Sequence, residues 1–145
     1  MERNVVLVTG GAGFIGSNFV LEAVRRGHTV VNLDALTYAG NLANLSSLDG
    51  NTAHTFVHGS ILDGALIASL LADYRPHAIV HFAAESHVDR SILGPAAFVG
   101  TNINGTFTLL EAALQYWRSL PDSNRKDFRF LHILILRHVR QLNFS

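Results

Sequence analysis

Three glycines, spaced three residues apart, lie between an apolar run and a stretch of helical periodicity near the start of the chain. The apolar run covers residues 5–8, the glycines are Gly10, Gly13 and Gly16, and helical spacing of apolar residues begins at Phe14. Glycines at a strand-to-helix turn let the backbone approach a diphosphate, and the first turn of the helix offers unpaired N–H groups. The motif predicts a nucleotide-binding α/β fold.

An acidic residue follows the next apolar run at the distance that a dinucleotide requires. Asp34 ends the run over residues 29–33, about twenty residues beyond the glycines, where a carboxylate can accept hydrogen bonds from the adenosine ribose. Its negative charge would repel the additional phosphate of NADP, so the pattern favours NAD. The alternative is an acid at a strand end that contacts only solvent.

Strand-like and helix-like segments alternate along the whole chain, which is typical of a parallel sheet covered by helices. We predict an α/β, doubly wound parallel sheet of the Rossmann type, with strand order 3-2-1-4-5 and the ligand crevice where that order reverses. The predicted domain spans residues 1–136 and is followed by a tail over residues 137–145.

The apolar patterns and turn residues place the individual elements. A charged loop is expected over residues 120–127, and Asp63 is expected to cap the helix that follows it. The last strand is expected to be buried on both faces because it is apolar throughout. Strands are predicted at residues 5–9, 29–33, 54–58, 78–82 and 128–136, and helices at 14–26, 64–74 and 95–117, with a short helical turn at 42–48.

Composition argues against several classes of protein. The chain has no cysteine, so disulfides and thiolate metal sites are excluded, and its 11 basic and 11 acidic residues give no argument for nucleic acid or a membrane surface. No apolar run is long enough to span a bilayer, so we expect a soluble cytoplasmic protein. Eight histidines are present, but pairs such as His54 and His58 lack the spacing of metal ligands, and no metal is expected.

The turn after the fourth predicted strand is a second candidate site. Small residues there would let the backbone pass beneath a cofactor, while Ser86, His87 and Arg90 offer polar groups. A polar turn leading into a helix is the alternative, and the position of the turn at the crevice favours a ligand. Thr101 and Asn102 fall within the predicted long helix, where they could face either solvent or the crevice.

Three stretches together resemble the dTDP-glucose 4,6-dehydratases of the extended short-chain dehydrogenase/reductase family. They are residues 9–16, 34–41 and 83–91, the last reading Ala-Ala-Glu-Ser-His-Val-Asp-Arg-Ser. The glycine motif is shared with sugar-nucleotide epimerases, whereas the other two stretches are much more particular to the dehydratases. The resemblance covers about residues 5–132, which is nearly the whole chain.

The resemblance implies NAD as the cofactor, dTDP-glucose as the substrate, and homodimers among full-length relatives. Ser60 stands where the family usually has an acid, so somewhat weaker recognition of adenine is expected. The implied contacts are Phe14 and Ile15 at the diphosphate, Asp34 at the adenosine ribose with Leu36 and Thr37 beside it, Ser60 and Ile61 at the adenine, Phe82, Ala83, Ala84 and Ser86 beneath the nicotinamide ribose, Thr101 at the cofactor, and Ser86 with His87 near the sugar nucleotide.

The end of the chain departs from the family pattern. After Ile133 the family continues with a Ser-Thr-Asp-Glu stretch and later a Tyr-x-x-x-Lys pair, and neither is present here. The only lysine is Lys126, and no tyrosine has a lysine four residues later. We therefore assign no catalytic residue and expect the chain to be inactive alone, with a truncated or frame-shifted gene as the hypothesis that explains the departure. A fragment of an epimerase and a non-catalytic nucleotide-binding module are the alternatives.

Overall fold

The computed structural model of the protein describes residues 4–37, 40–82 and 100–134. Its strands are β1 (Val5–Thr9), β2 (Thr29–Asp34), β3 (His54–His58), β4 (Ala78–His81) and β5 (Arg129–His132). Its helices are α1 (Phe14–Arg25), a 3₁₀ helix (Leu42–Leu48), α2 (Gly64–Tyr74), a π-helical turn (Gly100–Gly105), α3 (Thr106–Ser119) and α4 (Asp122–Asp127).

The five strands form one parallel sheet in the order β3-β2-β1-β4-β5, which confirms the predicted fold class and strand order. β1 lies at the centre, where Leu7 pairs with Val31 of β2 and with Ile79 of β4. The order reverses beside β1, so the carboxyl ends of β1, β2 and β4 meet at one edge of the sheet. Ligand sites of doubly wound folds occur at this edge.

Each face of the sheet has its own apolar core because successive strand residues point to opposite sides. On one face Leu7 and Ile79 pack with residues of α2 and α3, among them Ile67 and Leu109. On the other face Val8 and Val30 pack with residues of α1 and of the 3₁₀ helix, including Val20 and Leu45. These two cores hold the strand ends in fixed positions.

Helix boundaries follow the predicted signals closely. The Asp63 side chain accepts a hydrogen bond from the N–H of Leu66 at 3.0 Å, which confirms it as the cap of α2. After α1, Gly27 has a φ of +92°, and the N–H of His28 donates to the carbonyl of Ala23 at 3.0 Å. This closing turn is typical of glycine-terminated helices.

Two expectations were wrong. Residues 122–127 form α4 instead of a charged loop, since Pro121 precedes the helix, Asp122 stands in its first turn and basic residues stand in its last, where they complement the helix dipole. Arg125 also donates to the carbonyl of Leu120 at 2.9 Å. β5 is only four residues long and lies at the sheet edge, with alternating exposure, so it is not buried on both faces. Leu131, for example, is 51% exposed.

Other boundaries are adjusted or stay open. The long predicted helix is a π-helical turn followed by α3, which continues to Ser119, and residues 95–99 lie outside the described residues. Residues 135–145 also lie outside them, so the predicted domain bound at residue 136 and the tail over 137–145 remain predictions. None of the helices in the described ranges has the length and apolar character needed to cross a membrane.

Candidate functional site

The turn between β1 and α1 is tight because two of its glycines are required by geometry. Gly10 has a φ of +76°, a conformation that residues with a side chain rarely adopt. A Cβ on Gly16 would overlap the carbonyl oxygen of Gly10, so α1 can pack this closely against the turn only with glycine there. Gly13 precedes α1 in an extended conformation and donates to the Gly10 carbonyl at 3.3 Å.

The first turn of α1 carries free hydrogen-bond donors. Ser17 is the first residue whose N–H makes a helical hydrogen bond, which it donates to the carbonyl of Gly13 at 2.8 Å. The N–H groups of Phe14, Ile15 and Gly16 have no partner among the residues that the structure describes. The Phe14 side chain is 80% exposed. This end of the helix therefore offers donors and the positive end of the helix dipole at an open surface.

Asp34 lies beside this turn at the end of β2. One carboxylate oxygen accepts the N–H of Ala12 at 2.9 Å, and the other accepts the N–H of Leu36 at 2.8 Å. The carbonyl of Asp34 accepts the N–H of Gly59 at 3.1 Å. Each carboxylate oxygen keeps capacity for a further hydrogen bond. Asp34 thus joins the segments that follow β1, β2 and β3, and its carboxylate can still accept bonds from a ligand.

The segment after β2 folds over the glycine turn. The carbonyl of Ala12 accepts both the backbone N–H of Asn41 at 3.0 Å and the side-chain amide of Asn44 at 3.1 Å. Leu36 takes a φ of +52°, and Thr37 accepts the N–H of Gly40 at 2.9 Å. Residues 35–37 therefore lie next to Asp34, and their contact with a ligand stays a prediction.

Ser60 and Ile61 lie in the turn between β3 and α2. The Ser60 hydroxyl accepts the N–H of Leu62 at 3.1 Å, and its carbonyl accepts the N–H of Asp63 at 3.1 Å. The Ile61 side chain is buried in the core. Ile61 could therefore meet a ligand through its backbone, whereas the half-buried Ser60 could use its side chain.

The segment after β4 is described only at its start. The N–H of Phe82 donates to the carbonyl of Thr9 at 2.8 Å, and the Phe82 ring lies 5.5 Å from that of Phe19 in α1, measured between ring centroids. Thr101 lies in the π-helical turn, where only its backbone is described. The predicted site residues Ala83, Ala84, Ser86 and His87 lie outside the described residues.

A buried histidine connects three elements next to the site. His81 at the end of β4 shares hydrogen bonds with the hydroxyl of Thr9 at 2.6 Å and with that of Thr106 at 3.0 Å. Its ring stacks on His132 with 4.3 Å between centroids. Burial, together with the neighbouring His132, lowers the pKa of His81 to about 4, so the ring is neutral at pH 7.

Comparison with known proteins places this arrangement in a family. Residues 7–133 match the family model described as GDP-mannose 4,6 dehydratase. The chain belongs to this family. Over 127 residues it is 66% identical to the dTDP-glucose 4,6-dehydratase of Xanthomonas campestris pv. campestris (strain B100), an alignment that covers 88% of this chain and 36% of the relative. The chain therefore spans little more than a third of the length of the curated relatives that it matches.

Solved structures agree with that membership. The crystal structure of dTDP-glucose 4,6-dehydratase from Bacillus anthracis in complex with NAD has a TM-score of 0.73 at 35% identity and covers 90% of this chain and 37% of that one. UDP-glucose 4-epimerase from Thermotoga maritima with UDP-glucose has a TM-score of 0.70 at 37% identity and covers 77% of this chain and 34% of that one. The expected resemblance to dTDP-glucose 4,6-dehydratases is confirmed.

Sequence reasoning on this family member missed three side chains that shape the site. Asn32 and Asn44 each bond to the backbone of the glycine turn, and His81 bonds to Thr9 at its start. The signal for Asn32 and His81 was present, because each is a polar residue within an apolar strand. No group of three or more metal-ligating side chains occurs within the described ranges.

Proposed function

We propose that this chain is the NAD-binding amino-terminal part of a dTDP-glucose 4,6-dehydratase. The observation that carries the proposal is the juxtaposition of the Asp34 carboxylate with the N–H groups of Phe14, Ile15 and Gly16, which have no partner in the described ranges. The first feature suits a diphosphate and the second suits the ribose hydroxyls of adenosine. The Bacillus anthracis relative, crystallised in complex with NAD, supports the same assignment.

The other proposed contacts between the chain and NAD are made by the segments that follow the strands at this edge of the sheet. Leu36 and Thr37 would flank the adenosine ribose and Ser60 and Ile61 the adenine, since both segments adjoin Asp34. Because a carboxylate repels the additional phosphate of NADP, NAD is the preferred cofactor. The proposed cofactor contacts are Gly10, Gly13, Phe14, Ile15, Gly16, Asp34, Leu36, Thr37, Ser60, Ile61, Phe82, Ala83, Ala84, Ser86 and Thr101.

The sugar nucleotide is proposed to be dTDP-glucose, with Ser86 and His87 near it. The dehydratase assignment is preferred to an epimerase because residues 34–41 and 83–91 resemble the dehydratases in particular, and because the identity to a curated dehydratase reaches 66% over 127 residues. When bound, NAD supplies a reversible hydride acceptor for the sugar. The residues of this chain would bind and orient the dinucleotide and shield part of it from water.

We propose further that the polypeptide of 145 residues binds NAD without turnover. Oxidation of a sugar hydroxyl needs a positioned base, and elimination of water needs an acid and a base. In this sequence no tyrosine has a lysine four residues later, and no Thr-Asp-Glu stretch occurs. No catalytic residue is therefore assigned.

An exposed apolar face supports association with another subunit. Phe107, Leu110, Leu114 and Trp117 of α3 are between 38% and 65% exposed, and their spacing of three, four and three residues places them on one face of the helix. Such a row is typical of helix-to-helix contacts. We propose that this face mediates a homodimer, and the non-catalytic module that docks on full-length subunits is the second candidate.

The proposal is tested by calorimetric titration of the purified chain with NAD and NADP. We expect one NAD site per chain and weaker binding of NADP. A chain that binds neither cofactor would contradict the assignment. Incubation with NAD and dTDP-glucose should give no 4-keto-6-deoxy sugar nucleotide by mass spectrometry, and its appearance would refute the inactive state.

A further inference from the structure

We propose that Asn32 is a positioning residue for the nucleotide turn and that it makes glycine necessary at position 11, an inference that rests on the proposed NAD site. The N–H of Gly11 donates to the side-chain oxygen Oδ1 of Asn32 at 3.1 Å. The next N–H along the turn, that of Ala12, donates to Asp34 at 2.9 Å. Two side chains on the same face of β2 therefore hold two consecutive N–H groups of the turn.

Within the described residues, the surroundings of Asn32 offer its side-chain amide no other hydrogen-bond partner. The side chain is fully buried within β2, between apolar neighbours where a polar group is unfavourable unless it is bonded. Its Nδ2 has no hydrogen-bond partner in the described part of the chain. The hydrogen bond that the structure describes for this amide goes to the turn. That bond fixes the orientation of the amide, because a flipped amide would bring an NH₂ group against the N–H of Gly11.

Position 11 needs glycine because a side chain there would have no room, whereas position 10 needs glycine because of its backbone conformation. Gly10 has a positive φ, and Gly11 is not among the positive-φ glycines. A Cβ on residue 11 would overlap the carboxamide of Asn32. Because that carboxamide is buried, it has little room to move away. Residue 11 and residue 32 are therefore a matched pair, in which the amide takes the place that a Cβ would occupy.

The pairing determines which donors remain for a ligand. The N–H groups of Gly11 and Ala12 are held by β2, and that of Gly13 bonds to the Gly10 carbonyl. Among the residues that the structure describes, the first donors left without a partner are those of Phe14, Ile15 and Gly16. Since the turn is already fixed in this arrangement, less conformational freedom is lost when a diphosphate binds.

A double-mutant cycle tests the pairing in the full chain. Asn32→Ala should weaken NAD binding about fivefold, the effect of one hydrogen bond, and Gly11→Ala should weaken it at least about tenfold because the new Cβ collides with the amide. The double variant should bind NAD more tightly than Gly11→Ala alone, since the alanine at position 32 removes the collision. Independent effects that simply multiply would overturn the proposal.

A second readout separates positioning from general destabilisation. Asn32→Ala should leave the affinity for adenosine, which has no diphosphate, within about twofold of wild type, and an equal loss for NAD and adenosine would refute the positioning role. Val30→Ala is the matched control, because Val30 is buried on the same face of β2 without a bond to the turn. It should lower the unfolding temperature while NAD affinity stays within about twofold.

If the wild-type protein does not bind NAD, that result contradicts the proposed function but not the pairing of Gly11 with Asn32. The double-mutant cycle can then still be measured. The same four proteins are then compared by urea unfolding, where rescue of Gly11→Ala by Asn32→Ala supports the pairing and additivity overturns it. If Gly11→Ala alone does not fold, a folded double variant is the rescue. A double variant that also fails to fold would overturn the pairing.

Discussion

The carboxylate of Asp34 and the backbone N–H of Ala12 are joined by a hydrogen bond of 2.9 Å, so the end of β2 is tied directly to the turn that follows β1. The other carboxylate oxygen holds the N–H of Leu36 at 2.8 Å. Asp34 is 8% exposed, so little of the residue is open to solvent. The residue therefore ties together the segments that follow β1, β2 and β3, in addition to the proposed contact with a ribose.

Replacing Asp34 by asparagine should weaken NAD binding about tenfold. The asparagine amide would present an NH₂ group to the N–H of either Ala12 or Leu36. It also removes the negative charge that strengthens the proposed hydrogen bonds from the ribose hydroxyls. Because the repulsion toward the additional phosphate is also lost, the preference for NAD over NADP should narrow. Titration with both cofactors measures this, with Asp49→Asn as a control at an exposed position outside the site. Unchanged NAD affinity in Asp34→Asn would contradict the ribose assignment.

Alanine at position 16 should impair both folding and NAD binding. Its Cβ would overlap the Gly10 carbonyl oxygen, and backbone cannot move aside as a flexible side chain can. We expect a loss of about 1–3 kcal/mol in the free energy of unfolding and weaker NAD binding. Gly50→Ala is the control, since Gly50 has a φ of +74° but no atom near a new Cβ. It should lose about 1 kcal/mol or more from strain alone and keep its NAD affinity.

The sequence was sufficient for the fold and for the position of Asp34 beside the glycine turn, because both depend on spacing. Gly10 and Asp34 lie at fixed distances along strand-turn-helix units, and Asp63 carries a local capping signal. α4 was missed because a short helix in a polar segment resembles a loop in composition. The exposure of Leu131 was missed because an apolar run does not reveal which of its faces another element covers. The bond between Asn32 and Gly11 depends on tertiary contact, for which no spacing rule exists.

Neutral His81 should make the protein less stable in acid. Its pKa is lowered from 6.5 to about 4 in the folded state, first by burial and then by the nearby His132. The unfolded chain therefore binds the proton more readily, so the stabilisation is complete above about pH 6.5 and is lost as pH falls toward 4. The loss should be about 3 kcal/mol in the free energy of unfolding.

Urea unfolding at several pH values between 4 and 7 isolates this effect when wild type is compared with His81→Asn. The variant should be less stable at pH 7, because the bonds to Thr9 and Thr106 change, and should show a flatter dependence on pH. His58→Asn is the control, since His58 is exposed and bonds only to the carbonyl of Ala35 among the described residues. If His81→Asn retains the full acid sensitivity of wild type, another group is responsible.

The apolar face of α3 should hold two copies of the chain together. Leu114 is one of the two central residues of the α3 row that runs from Phe107 to Trp117, and burial of a leucine side chain contributes about 1.5–3 kcal/mol. Leu114→Lys changes both copies in a symmetric dimer, so dissociation should become at least about a hundredfold easier. Gln115→Lys adds the same charge at the neighbouring exposed position and should leave the dimer intact. Sedimentation equilibrium measures the association of wild type and of both variants. If the wild-type protein is monomeric at about 100 micromolar, this face does not form a homodimer contact.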